Sequence, residues 1–116
     1  MLQYPAEGDP EPIKISIKDI DALQPGELVN DNIICFYLKY IRNELVSPER
    51  RDSIFFFDTF FYSSLTKGVR SSKNYCKQLI ENYESVQRRT RKVDLFSKDY
   101  IVVPICEAQH WLVICT

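Results

Sequence analysis

Two apolar runs stand near the end of the sequence, Tyr100-Ile-Val-Val-Pro-Ile105 and Trp111-Leu-Val-Ile-Cys115, with the polar stretch Glu107-Ala-Gln109 between them. β-Branched residues without polar alternation suit strands buried on both faces, and so short a connection predicts neighbours in one central sheet. No other feature constrains the chain as much, because a sheet of that kind must be covered on both sides. Upstream, Asn30-Asp31 precedes Asn32-Ile-Ile-Cys-Phe-Tyr-Leu-Lys-Tyr-Ile-Arg-Asn-Glu-Leu45, in which Ile34, Leu38, Ile41 and Leu45 recur at helical spacing. Asn30 or Asp31 can accept a bond from the orphan amides of the helix start. Ile33, Phe36, Tyr37 and Tyr40 widen the apolar arc and predict a helix deep in a core, closed by Ser47-Pro48.

Residues 1–12, with three prolines and one glycine, read as an extended lead-in to the domain at 13–116. Ile13 to Ile17 alternates as a strand with one buried face, and a short helix over Lys18 to Leu23 stops at Gln24-Pro25-Gly26. Ile54-Phe-Phe-Phe-Asp58 precedes a second helix that Asp58 caps and that carries Phe60, Phe61 and Leu65. Five phenylalanines within residues 55–61 exceed what one surface accepts, so some must pack inside and any left outside marks a partner site. Residues 66–92 read as a basic connector or insertion holding a weak helix at Tyr75–Val86.

At 116 residues, 45% apolar and 27% charged, the chain has the length and composition of one globular domain. It has no apolar run of about eighteen residues to span a bilayer. Glu7, Asp9 and Glu11 oppose a signal peptide, so the expected location is nuclear or cytoplasmic. The four cysteines are expected as thiols and, in the plain reading, as small buried hydrophobes. One histidine and no Cys-x-x-Cys pair leave no zinc spacing, so neither metal nor cofactor is expected. Charge is segregated: residues 1–66 hold 6 basic and 11 acidic side chains, whereas residues 67–92 hold 8 basic and 2 acidic. That basic stretch suits a phosphate backbone or an acidic protein. No aromatic interleaves Arg88–Lys92 to stack bases, so nucleic acid ranks last among the partners.

The only histidine, His110, stands where the polar turn enters the last apolar run, beside the only tryptophan, Trp111. A catalytic imidazole needs a nucleophile within reach and a third group to fix its tautomer. Cys106 lies nearest in sequence, but no helix start is there to lower its pKa. Cys115 falls inside the apolar run, and no dyad forms from the residues present.

Four segments in order, Gly26-Glu-Leu-Val-Asn-Asp31-Asn-Ile-Ile-Cys-Phe-Tyr-Leu38, Phe60-Phe-Tyr62, Val93-Asp-Leu-Phe-Ser-Lys-Asp-Tyr-Ile-Val-Val-Pro104 and His110-Trp111, resemble the Ulp/SENP family of SUMO-specific cysteine proteases. Leu2-Gln-Tyr-Pro5 and Phe36 to Ile41 are most similar to the branch that trims poly-SUMO chains, sentrin-specific proteases six and seven. The resemblance implies an α+β, papain-like cysteine protease fold, of which this is the N-terminal portion, with helices packed against a partial central sheet. It also implies a His, Asp, Cys triad with a Gln before the Cys. His110 matches the general base, and the other three are expected beyond Thr116, so the chain is expected to end inside the catalytic domain.

By the same resemblance, Trp111 matches the wall of a tunnel over the Gly-Gly tail of SUMO, and Asp31 and Phe60 match positions that touch the ubiquitin-like protein. From the residues alone, Phe60 is equally a core residue and Asp31 a helix cap; core packing is also open to Trp111, but its place beside His110 favours the tunnel wall. Leu28 stands where many members carry a second tunnel aromatic, Arg89 where a tryptophan precedes Val93, and Cys106 where asparagine is common. The expected function is that of a SUMO isopeptidase inactive as this chain, with a non-catalytic SUMO-binding remnant or pseudo-protease as the alternative. The expected partners are SUMO or SUMO-conjugated proteins, with no membrane; the chain would be monomeric if complete and aggregation-prone as a fragment.

Overall fold

The computed structural model describes residues 2–116, with the side chain of Arg89 outside the description. The chain forms two compact units, one ending at Arg51 and the other spanning Asp52–Thr116.

In the first unit the lead-in is itself a strand. β1 (Leu2–Tyr4) pairs antiparallel with β2 (Ile13–Ile15), Leu2 opposite Ile15 and Tyr4 opposite Ile13. Helix α1 (Ile17–Asp21) follows at once, one residue earlier than its apolar pattern suggests, because Ser16 and Asp19 form a capping box. Asp19 also reaches much further. Its carboxylate accepts from the Ser16 amide at 2.8 Å, from Asn30 Nδ2 at 2.9 Å and from Asn32 Nδ2 at 2.8 Å. Asn30 Oδ1 meanwhile accepts the Ile33 amide at 3.0 Å, so Asn30 is the cap of α2 (Asp31–Tyr40). Asn32 also donates to the Lys14 carbonyl, tying the same corner to β2.

Helix α2 continues into a wider π turn over Ile41–Leu45, and the apolar pattern runs through both. Contrary to a place deep in a core, none of its residues is buried. Its arc is wider than the one face covered by the lead-in, where Tyr4 meets Phe36 edge-on with ring centroids 5.2 Å apart and lies beside Tyr40. Lys39 Nζ holds the far end of the lead-in, donating to Asp9 at 2.8 Å and to the Glu11 carbonyl at 2.7 Å.

Hydrogen bonds from Ser16, Asn32 and Asn30 hold the Asp19 pKa below the ordinary carboxylate value. The unfolded chain therefore binds this proton more readily than the folded one. The stability from Asp19 is complete above the ordinary aspartate pKa, about 3.9, and is lost as pH falls through the lower folded value. Asp9, lowered by Lys39, acts in the same direction. Thermal melts from pH 6 to pH 2 should show stability falling below about pH 4, and Asp19→Asn should flatten that fall; an unchanged acid limb would contradict the role of this carboxylate.

The second unit is built on a three-stranded sheet in the order β3 (Ile54–Phe56), β4 (Tyr100–Glu107), β5 (His110–Cys115). β3 runs parallel to β4, so a crossover must join them, and helices α3 (Phe60–Thr66) and α4 (Tyr75–Val86) supply it. The Asp58 carboxylate accepts the Phe60 amide at 2.9 Å at the start of α3. Helix α3 packs on β4 and on α4, around a core of Phe57, Val86, Val102, Pro104 and Ile105.

Pro104 is fully buried in the central strand without breaking a ladder. Ile101 and Thr116 exchange both backbone bonds, so alternation along the antiparallel pair puts Pro104 opposite Val113 in a non-bonded pair, its nitrogen pointing away from β5. On that other side the pairing with β3 ends at Val102.

The expectation that both C-terminal strands are buried on both faces holds for Val102, Pro104 and Ile105 in the middle of β4, not for its ends, and fails for β5. As the sheet edge β5 has one neighbour, and Leu112, Val113 and Ile114 remain 43%, 55% and 48% exposed. The cysteines are likewise not the buried hydrophobes expected: Cys76, Cys106 and Cys115 are exposed and Cys35 is half-buried.

Candidate functional site

The β4–β5 connection is a two-residue turn, Ala108-Gln109, with φ of 51° and 62°. Positive φ at both positions gives the turn the twist that joins adjacent antiparallel strands, at a steric cost that glycine or asparagine would avoid. The turn fixes a register in which Glu107 faces His110 and Cys106 faces Trp111. Directly opposed residues share a face of the sheet and successive ones alternate. Glu107, His110, Leu112 and Ile114 therefore lie on one face, and Cys106, Trp111, Val113 and Cys115 on the other. No sulfur of this sheet shares a face with the imidazole, which disposes of Cys106 and Cys115 as partners for His110.

Glu107, the one carboxylate opposite His110, is engaged elsewhere. Its Oε1 accepts from Tyr62 Oη on α3 and from Arg70 Nη2 in the following loop, both at 3.3 Å. These contacts brace the turn against α3 and leave the exposed imidazole at the open end of the edge strand. Trp111 is half-buried.

Phe60, the first residue of α3, is the one member of the phenylalanine cluster that is exposed, at 54%; Phe57 is buried and Phe55, Phe56 and Phe61 are half-buried. In the first unit, Asp31 follows the Asn30 cap and precedes the anchored Asn32. With both asparagines bound inward, Asp31 is an exposed carboxylate and not the cap. Leu28 is 59% exposed in the segment leading to α2. Leu28 and Asp31 thus belong to the first unit, and Phe60, His110 and Trp111 to the second. Sequence reasoning missed Asp19, whose network fixes the backbone on both sides of Asp31; the Ser16-x-x-Asp19 spacing of a capping box was its only local sign. Among the described residues no cluster of histidine, cysteine or carboxylate side chains could hold a metal, and no helix is long and apolar enough to cross a membrane.

A family model described as the Ulp1 protease family, C-terminal catalytic domain, matches residues 27–115. The chain belongs to the Ulp1 protease family. Probable ubiquitin-like-specific protease 2A of Arabidopsis thaliana is 40% identical over 116 residues, which are 98% of this chain and 15% of that protein. Sentrin-specific protease 6 of Mus musculus is 37% identical over 119 residues, covering 99% of this chain and 10% of that protein. A crystal structure of a de-sumoylating protease superposes with a TM-score of 0.67 at 25% identity, over 90% of this chain and 38% of that one. The C-terminal Ulp1 protease domain in complex with Smt3, the yeast ortholog of SUMO, superposes with a TM-score of 0.61 at 27% identity, over 89% of this chain and 39% of that one. The fold is the α+β fold of the Ulp1-type SUMO proteases, and the chain spans well under half of each of these relatives.

Proposed function

We propose that this chain is the N-terminal part of a SUMO-specific cysteine isopeptidase that acts in the nucleus or cytoplasm, with His110 as general base for cleavage after Gly-Gly. The observation that carries the reading is the register of the Ulp1-family hairpin: an exposed imidazole next to the only tryptophan, on a sheet face that holds no thiol. A base so placed serves a sulfur brought by another part of a catalytic domain. The chain by itself should be inactive, because the thiols of its sheet project away from His110. Trp111 walls the glycine tail, which has no side chain to grip and so demands a close, flat surface. Asp31, Phe60 and Leu28 are exposed, as contacts to a ubiquitin-like protein must be.

A fluorogenic SUMO isopeptide substrate tests the proposal. The chain alone should release no fluorophore, and release would show a nucleophile among its own cysteines. A protein carrying the whole catalytic domain should cleave SUMO and spare a ubiquitin conjugate, and Asp31→Arg should raise KM roughly tenfold with kcat little changed. SUMO binding without cleavage by the whole domain would favour the non-catalytic remnant instead.

A further inference from the structure

Helix α4 docks with its polar side inward. Asn82 Nδ2 donates to the carbonyls of Leu65 and Lys67 at 2.7 and 2.9 Å, satisfying the C-terminal end of α3, and Gln78 Nε2 donates to Asn82 Oδ1 at 3.1 Å. Only Val86 adds a buried apolar side chain to this contact. The apolar residues lie outside: Tyr75, Leu79 and Tyr83, spaced four apart along one face, are 59%, 37% and 56% exposed, and Ile80 beside them is 60% exposed. A helix normally turns this row toward its own core. An exposed apolar row beside a half-buried, hydrogen-bonded amide row needs another occupant.

The row leads into a groove of about 430 Å³, a volume in the range of ligand-binding clefts. Tyr83, Val86, Val93, Leu95 and Phe96 give it apolar walls, and Phe96 stands 96% exposed at its lip. Arg91 lines the groove together with one acid, Asp94, and Arg88 and Lys92 are exposed beside Arg91. The segment 67–92 that carries the row has 8 basic side chains against Glu81 and Glu84 alone. None of the five candidate site residues lines this groove.

We propose that the outer face of α4 and the Phe96 groove together dock an acidic, amphipathic helical segment of a partner protein. Its apolar residues, recurring every third or fourth position, would lie along the row from Tyr75 to Tyr83, roughly 12 Å of helix axis, and continue into the groove. Its carboxylates would meet Arg88, Arg91 and Lys92. A nucleic acid would use the same cations but would leave the apolar row and groove empty.

The test is fluorescence anisotropy with the whole chain and a labelled, helix-forming peptide of about sixteen residues, with Leu and Phe on one face and Glu and Asp on its flanks. Binding should be saturable and should weaken as NaCl rises from about 50 to 300 mM. Phe96→Ser and Tyr83→Ser change exposed side chains, so the fold should persist in a thermal melt while the dissociation constant rises roughly tenfold. Arg91→Glu should weaken binding comparably and reduce the salt dependence. Equal binding of a charge-reversed peptide, unchanged affinity in the Phe96→Ser variant, or tighter binding of a single-stranded oligonucleotide than of the peptide would each overturn the proposal.

Discussion

Replacing His110 by Gln in a protein that carries this segment within a whole Ulp1-type catalytic domain is expected to lower kcat for SUMO isopeptide cleavage by about 10³-fold or more, with KM within a few-fold of the parent. Glutamine keeps much of the size and polarity of the imidazole but cannot accept a proton from a thiol. The substitution falls at an exposed position on the edge strand, opposite a glutamate that is bonded to Tyr62 and Arg70 and not to the ring. Thermal melting should therefore be unaltered, which separates lost chemistry from lost folding. A variant that keeps activity within tenfold of the parent would remove His110 from the mechanism.

The second large effect concerns stability. Phe57, the residue after β3, is buried, stacks on Phe61 with ring centroids 3.8 Å apart and meets Phe55 edge-on at 4.8 Å. Its amide also donates to the Val102 carbonyl at 2.9 Å, so the backbone cannot readily shift to fill a vacated space. Phe57→Ala should cost about 3–5 kcal/mol in urea unfolding, from lost burial plus the cavity left behind. Against a usual stability of about 5–15 kcal/mol, that should remove a large share of the folding margin and bring the urea midpoint down accordingly. Phe60→Ala, three residues on, should change stability by no more than about 0.5 kcal/mol because the ring is already exposed. Equal losses from the two substitutions would mean that Phe60 is a core residue and not a docking residue.

The contrast between these two phenylalanines shows how far the sequence could be read. The crowding over residues 55–61 required that some rings be inside and flagged any outside, but nothing in the local pattern said which. The same division runs through the site. His110-Trp111 at the mouth of an apolar run was visible, as was the cap region Asn30-Asp31-Asn32. That Asn30 is the cap, freeing Asp31, depends on Asp19 eleven residues earlier drawing both asparagines inward. The turn at Ala108-Gln109 had no glycine or asparagine to announce its positive φ, so the register setting Glu107 opposite His110 came only from the pairing of the strands.

What the sequence determined by itself is what depends on near neighbours. Apolar spacing marked α2 and the helix at Tyr75–Val86, and the two β-branched runs marked the hairpin, because backbone periodicity and side-chain shape act within a few residues. The tertiary structure decided which faces are covered. It left β5 exposed at the sheet edge, turned the amide row of α4 inward and its aromatic row outward, and placed the thiols of the sheet on the face away from the imidazole. Coverage depends on where distant segments pack, and a periodic pattern says that a helix or strand has two faces without saying what will lie against each.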